Sequence, residues 1–203
     1  MLTYHNDLPL PEHDIPLVRD PLRYSVDLPL AVTVHPLGEA VSIRSNSAAI
    51  RDAALASFGW GSPSGTDSVA LELHLAAESG PAEEEPSPPV FRGRRHLLSI
   101  TGPAGAFATA DYRQRFGFGW FPDSLVMQPD FFRYHYLEGL VYATLAQLCF
   151  APVHAACVEK DGTGLLLCGD SGAGKSTLAW ACARAGWRYV CDDGSIIRRA
   201  PGP

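Results

Sequence analysis

Apolar positions change their period several times along the chain, and each change marks an element. Between Val69 and Leu75 they alternate, with Val69, Leu71, Leu73 and Leu75 on one side and Glu72 and His74 on the other, which predicts a half-buried strand. Upstream, Val- and Leu-rich stretches from Tyr24 to Ile43 are broken by Pro29, Pro36 and Gly38 and predict short strands joined by turns. Ser45, Asn46 and Ser47 then offer N-caps to a helix whose Ile50, Ala53, Ala54 and Phe58 share one face. Two strands are expected around residues 96–101 and 106–116, the second followed by the aromatic run Phe116-Gly117-Phe118-Gly119-Trp120-Phe121. Such a run invites stacking on a base, but packing in a core is the commoner fate of aromatics and is the expectation here. From Asp130, read as a cap, Leu137, Leu140, Val141, Thr144, Leu145 and Leu148 keep helical spacing to Cys149 and predict a helix whose apolar face covers a sheet. Arg133, His135 and Glu138 interrupt this stretch well short of a membrane span.

In the last third the pattern becomes specific enough to carry chemistry. Residues from Pro152 to Glu159 read as a strand, Leu165-Leu166-Leu167-Cys168 as a buried strand, and the intervening Asp161-Gly162 as a two-residue turn, so 153–160 and 163–169 form a hairpin. That register sets Lys160 opposite Thr163 and His154 opposite Gly169. Residues 169–176, Gly169-Asp170-Ser171-Gly172-Ala173-Gly174-Lys175-Ser176, satisfy GxxxxGK[ST], and Ser176 to Arg184 reads as a helix closed by Gly186. Strand, glycine loop and helix N-terminus together form a phosphate cradle of inward-pointing amides. Lys175 then reaches the β and γ phosphates of ATP, the Ser176 hydroxyl binds magnesium, and Thr177 continues the helix. The strand Trp187 to Cys191 should run parallel to the strand before the loop and deliver Asp192 and Asp193 to the same sheet edge. Carboxylates there can hold a magnesium-bound water or accept a proton from an attacking hydroxyl. Position alone leaves His154 equally readable as a structural histidine bonded to a carbonyl; for the aspartates the alternative is a solvated turn before Gly194.

Where the pattern lapses, composition takes over. The first twenty residues are rich in proline and charge and read as an extended arm, and residues 77–89 (AESGPAEEEPSPP) read as a flexible acidic, proline-rich loop or linker. A split follows: an α+β region over 1–125 and a P-loop domain starting in 126–203. With 203 residues, 46% hydrophobic and 19% charged, the chain reads as globular, and its net charge of -6 argues against a general nucleic-acid binder. No basic leader or apolar h-region opens the sequence, so a cytoplasmic location without membrane insertion is expected. The five cysteines have no CxxC spacing and read as buried free thiols.

The series His154, residues 169–176, Gly186 and Asp192-Asp193 resembles the catalytic domain of the HPr kinase/phosphorylase family over about residues 150–195. That resemblance implies an α/β P-loop sheet related to ATP-dependent phosphoenolpyruvate carboxykinase, and a serine kinase that uses ATP and Mg2+ on a small phosphocarrier protein. It implies phosphate contact by Lys175, magnesium at Ser176 and Asp192, Asp193 as the base and His154 beside the transferring phosphate. The loop residues Gly169, Asp170, Ser171, Gly172, Ala173, Gly174, Lys175, Ser176 and Thr177 become the nucleotide site. Thr177 departs from the glutamate common in the bifunctional enzymes, so phosphorylation is implied more firmly than phosphorolysis. Residues 1–125 show no such resemblance. The family's catalytic domain continues past the aspartate pair, so the chain reads as an incomplete version, with a half-finished sheet that leaves an unpaired edge and a homo-oligomer as the family's usual assembly. Two other readings stay open: an ABC-type or uridine-kinase-like NTPase, and a nucleotide-binding regulatory module without catalysis.

Overall fold

The structure, a computed structural model, describes residues 26–63, 68–80 and 87–198. The expected N-terminal arm lies outside them, as does the middle of the acidic loop. The chain is α/β, with a seven-stranded mixed sheet followed by a smaller four-stranded one. Strands β1 (Leu30–Val34) and β2 (Val41–Ser45) form an antiparallel pair, and helix α1 (Ala48–Phe58) crosses over to β3 (Leu71–Glu78), parallel to β2. The cap expected of Ser47 takes another form: its N–H donates to the Ser45 hydroxyl at 3.0 Å, and its own side chain makes no capping bond. Strand β3 begins at Leu71, leaving Val69 exposed outside it, and extends through Ala77 and Glu78, which the sequence assigns to the loop.

Four strands, where two were expected, fill residues 90–122: β4 (Val90–Arg94), β5 (Leu97–Thr101), β6 (Phe107–Asp111) and β7 (Phe116–Pro122). The sheet order is β1-β2-β3-β7-β6-β5-β4, so the segment between β3 and β4 joins two strands of one sheet. The aromatic run is itself the strand β7, next to β3 in the middle of the sheet. Only Phe121 enters the core, edge-on to Phe132 at 5.0 Å and to Tyr136 at 5.6 Å. Phe116, Phe118 and Trp120 lie on the opposite face as a half-buried row joined by Phe107, contrary to the core packing expected of them. The glycines between them explain the alternation. A Cβ on Gly117 would sit 2.8 Å from Leu73 Cδ2, and one on Gly119 would sit 2.8 Å from Ala108 Cβ. The core side has no volume for a side chain there.

After two short turns, α2 (Asp123–Val126) and α3 (Pro129–Phe132), a π turn over Arg133–Leu137 leads into α4 (Glu138–Leu148). Asp130 lies inside the first turn, where it pairs with Arg133 at 3.4 Å, and Gln128 holds the cap position assigned to it. Tyr136, Leu137, Leu140, Val141, Thr144 and Leu145 are buried, while Leu148 is only partly so. Tyr136, Leu137, Leu140, Val141 and Leu145 share one core with Ile43, Leu73, Ile100 and Phe150. The large core thus continues past residue 125 to the first residue of the next strand.

That strand, β8 (Phe150–Lys160), organises the small sheet. β9 (Thr163–Cys168) pairs with it antiparallel from Lys160↔Thr163 to Ala155↔Cys168, which is the register the Asp-Gly turn predicts. Asp161 and Gly162 both have positive φ, 54° and 79°, as that turn requires. β10 (Arg188–Cys191) and β11 (Gly194–Arg198) pair with β8 in one continuing register, from Arg188↔Glu159 with a shift between Tyr189 and Cys191 to Arg198↔Phe150. Helix α5 (Lys175–Arg184) packs over a small core of Ala156, Val158 and Ala179. The expectation of a buried β9 fails: Leu165 is 45% exposed and Cys168 is exposed, because β9 is an edge strand of a sheet this small. The cysteines are free, and four of the five are only partly buried. No helix among the described residues is long and apolar enough to cross a membrane.

Candidate functional site

The loop from Gly169 to Gly174 leaves β9 and turns directly into α5. Gly172 and Gly174 adopt φ of 81° and 86°, a backbone that side chains disfavour, and no atom lies within 4 Å of where their Cβ atoms would be. The first backbone bond of the helix runs from Leu178 N–H to the Gly174 carbonyl at 2.9 Å, so the amides of Lys175, Ser176 and Thr177 have no helical acceptor. Gly174 supplies no capping side chain either. The start of α5 therefore presents three amide donors without helical acceptors, with the positive end of the helix dipole behind them. Lys175 is buried, and its ammonium donates back to the carbonyls of Gly169 at 2.8 Å and Asp170 at 3.1 Å. Asp170, Ser171, Ala173, Ser176 and Thr177 are exposed along the loop and first turn.

The other side of the site comes from the kink between β10 and β11. Ser176 Oγ donates to the Asp192 carbonyl at 3.4 Å, and His154 Nδ1 lies 3.3 Å from Asp193 Oδ1. Ser176 thus touches Asp192, and His154 touches Asp193. β8 makes this possible: β9 on one edge brings the loop to the level of His154, and β10–β11 on the other brings Asp193 to the same level, with Gly194↔His154 as the next pair. The expected parallel direction of β9 and β10 holds, with β8 between them.

Three residues to which the sequence reading gave no site role line this kink. Cys191 Sγ and Ser195 Oγ are 3.1 Å apart, and Ser195 Oγ donates to the Ala155 carbonyl at 3.1 Å, beside His154. Ser195 is buried, so its bond is shielded from competing water. Tyr189 is the third. Desolvation pushes its phenol up, and the negative Asp192, to which it hydrogen-bonds, and Cys191 add to the rise. Burial likewise pushes the Cys157 thiol up, with Cys191 adding and Arg188 opposing. The only available signal for all three was their position next to Asp192 and Asp193. Among the described residues no three His, Cys, Asp or Glu side chains gather as a metal site, and Asp192 turns its carbonyl toward Ser176.

One comparison falls on the stretch of chain that holds the glycine loop. The family described as SynChlorMet cassette protein ScmC matches residues 133–201. HPr kinase/phosphorylase of Bacillus cytotoxicus is 40% identical over 65 residues, 32% of this chain and 19% of that protein. Those of Bacillus mycoides and Bacillus cereus are similar to the same extent. Over that stretch the chain is a distant relative of HPr kinase/phosphorylase, and it spans 19% of the length of these relatives. No solved structure matches.

Proposed function

We propose that the chain binds ATP at residues 169–177 and serves an ATP-dependent kinase that transfers a phosphoryl group to a hydroxyl, with a serine of a protein, such as an HPr-like carrier, as the acceptor. The observation that carries this reading is the convergence of Ser176 on Asp192 and of His154 on Asp193 at the end of the glycine loop. Lys175 leaves the carbonyls of Gly169 and Asp170 for the β and γ phosphates, and the amides of 174–177 hold the same anion. The Ser176 hydroxyl and Asp192, whose carbonyl lies 3.4 Å from it, would hold a cation such as Mg2+, which keeps waters and phosphate oxygens in the rest of its shell. When bound, magnesium supplies charge neutralisation for the phosphates. Asp193 accepts the proton of the attacking hydroxyl, and His154, through Nδ1, orients that carboxylate. An ABC-type or uridine-kinase-like protein has no need of this pair.

One observation favours a second reading, a nucleotide-binding regulatory module without transfer: His154 and Asp193 are 60% and 76% exposed, and transfer chemistry works best where water is excluded. Calorimetric titration of Mg·ATP into the chain and into Lys175→Ala, followed by a search for phosphate release or transfer, separates these. Binding lost in the variant and accompanied by turnover supports the kinase. Binding without turnover supports the module, and absence of binding in both removes the nucleotide reading altogether.

A further inference from the structure

Strand β4 is an unusual edge. It ends the seven-stranded sheet, its five residues are all exposed, and among the described residues no strand pairs with its outer side. Natural edges are commonly blunted with charge, and Arg92 and Arg94 would suffice for that. Yet the same strand exposes Val90 and Phe91, at 50% and 42%, and carries Gly93 with nothing within 4 Å of its would-be Cβ. An edge built only to repel other strands has no use for two partly exposed apolar side chains and an open notch.

The charge around it is also out of proportion. From Val90 to Arg115 there are five arginines, Arg92, Arg94, Arg95, Arg113 and Arg115, and one carboxylate, on a chain of net charge -6. The carboxylate is taken: Asp111 Oδ1 accepts from the amides of Arg113 and Gln114, and Oδ2 faces His96 at 3.6 Å. None of the five arginines has a carboxylate partner among the described residues. The pairings Arg94↔Leu97, Leu97↔Asp111 and Asp111↔Phe116 put the β4–β5 and β6–β7 turns at one end of the sheet, tied by Tyr112 N–H to the His96 carbonyl at 2.9 Å. Arg94, Arg95, Arg113 and Arg115 therefore cluster at the end of the strand whose other end is Val90.

We propose that the β4 edge docks an extended acidic peptide segment of a partner protein, added as an eighth strand. The inference does not depend on the nucleotide reading. Main-chain bonding to the free edge supplies affinity and the alternating side chains supply choice. Acidic residues two apart lie opposite Arg92 and Arg94, and opposite charges facing each other across strands attract. The residue between them is a large aromatic lying across Gly93, as neighbours of edge glycines do, beside Phe91, whose ring already covers α4 at Gly139. Further acidic residues continue toward Arg95, Arg113 and Arg115, and apolar ones toward Val90. A nucleic-acid strand fits less well, because the arginines line a strand edge rather than a groove.

The test is fluorescence anisotropy with a labelled peptide, Ser-Asp-Glu-Phe-Glu-Val-Val-Ser, against the full chain. Saturable binding is expected, weakened by about tenfold or more in Arg92→Glu/Arg94→Glu, two surface changes whose melting temperature serves as the folding control. A peptide with Lys for Glu should not bind, and Lys175→Ala should bind the acidic peptide as the parent does, which separates this proposal from the fate of the nucleotide site. The proposal is overturned if the parent does not bind, or if the double variant binds equally. A ten-nucleotide uridine RNA that outcompetes the peptide would assign the surface to nucleic acid. Self-association that disappears in the double variant would assign it to a second copy. Tighter binding after Glu83, Glu84 and Glu85 are changed to Gln would assign it to the chain's own acidic run.

Discussion

The pair His154 and Asp193 separates a structural from a catalytic role by two magnitudes that point in opposite directions. Asp193→Asn keeps the shape of the side chain and removes both its charge and its capacity to accept a proton. Because the two side chains are 60% and 76% exposed and 3.3 Å apart, their attraction is screened by water, and such a pair stabilises by at most about 1 kcal/mol. For a chain of this length that corresponds to a fall in melting temperature of no more than about 2–4 °C. A positioned base contributes about 10²–10⁴ in rate, or roughly 3–5 kcal/mol of barrier. The assay is therefore double: a thermal melt by circular dichroism, and phosphate release or transfer from Mg·ATP under saturating nucleotide. Catalysis predicts a nearly unchanged melt with turnover reduced by about a hundredfold or more, and ATP binding retained because Asp193 does not belong to the loop. A drop of well over 4 °C with unchanged turnover would make the pair a clamp between β8 and the β10–β11 kink, and the reasoning that assigns it a proton would be wrong.

Three other perturbations address what holds the site in place. Gly119→Val forces a side chain against Ala108 Cβ and the Phe107 carbonyl, and overpacking of this kind costs about 1–3 kcal/mol, so the melt should fall by several degrees; an unchanged melt would mean that β7 has room on its core side. Arg198→Ala removes the partner of Glu39, which is 10% exposed and bonded at 2.7 Å, and should destabilise by about 1–3 kcal/mol. Adding Glu39→Gln should recover part of that loss, and no recovery would deny the pair its role. Because burial raises the Cys157 thiol, less of it is thiolate at neutral pH, and iodoacetamide followed by mass spectrometry should label exposed Cys168 well before Cys157.

What the sequence made legible was local. An Asp-Gly turn dictates both left-handed residues and the pairing that follows, so the β8–β9 register could be counted from Lys160 and Thr163. The glycine loop and α5 were legible for the same reason, since the motif encodes its own backbone. Two misreadings share one cause. Leu165 to Cys168 has the composition of a buried strand and the aromatic run that of core, whereas the helix over 138–148 does cover a sheet, as its spacing predicts. Which surface each one meets is decided by strand order, and no short-range pattern records that β9 is an edge or that β7 turns its glycines inward. The alternation of aromatic and glycine was a period-2 signal and could have identified β7 as a strand.

The position of the site in the fold has a consequence for its stability. Among the described residues the small sheet's own core is Ala156, Val158 and Ala179 with Leu167, Cys182 and Trp187 packed against it, while Leu178, Trp180, Tyr189, Val190, Ile196 and Ile197 are exposed. A core of that size cannot repay the entropy of ordering some fifty residues. The missing support comes from the larger sheet at two points. Phe150, the first residue of β8, belongs to the large core, and Arg198, the last of β11, pairs with Glu39, bonds the Leu37 carbonyl at 3.2 Å and lies over the Phe150 ring. Since Phe150 and Arg198 face each other in the sheet, these contacts grip one end of the β8–β11 ladder, and the ladder carries that order to its other end, where Gly194 meets His154. The N-terminal sheet thus does for the candidate site what a larger core of its own would otherwise have to do.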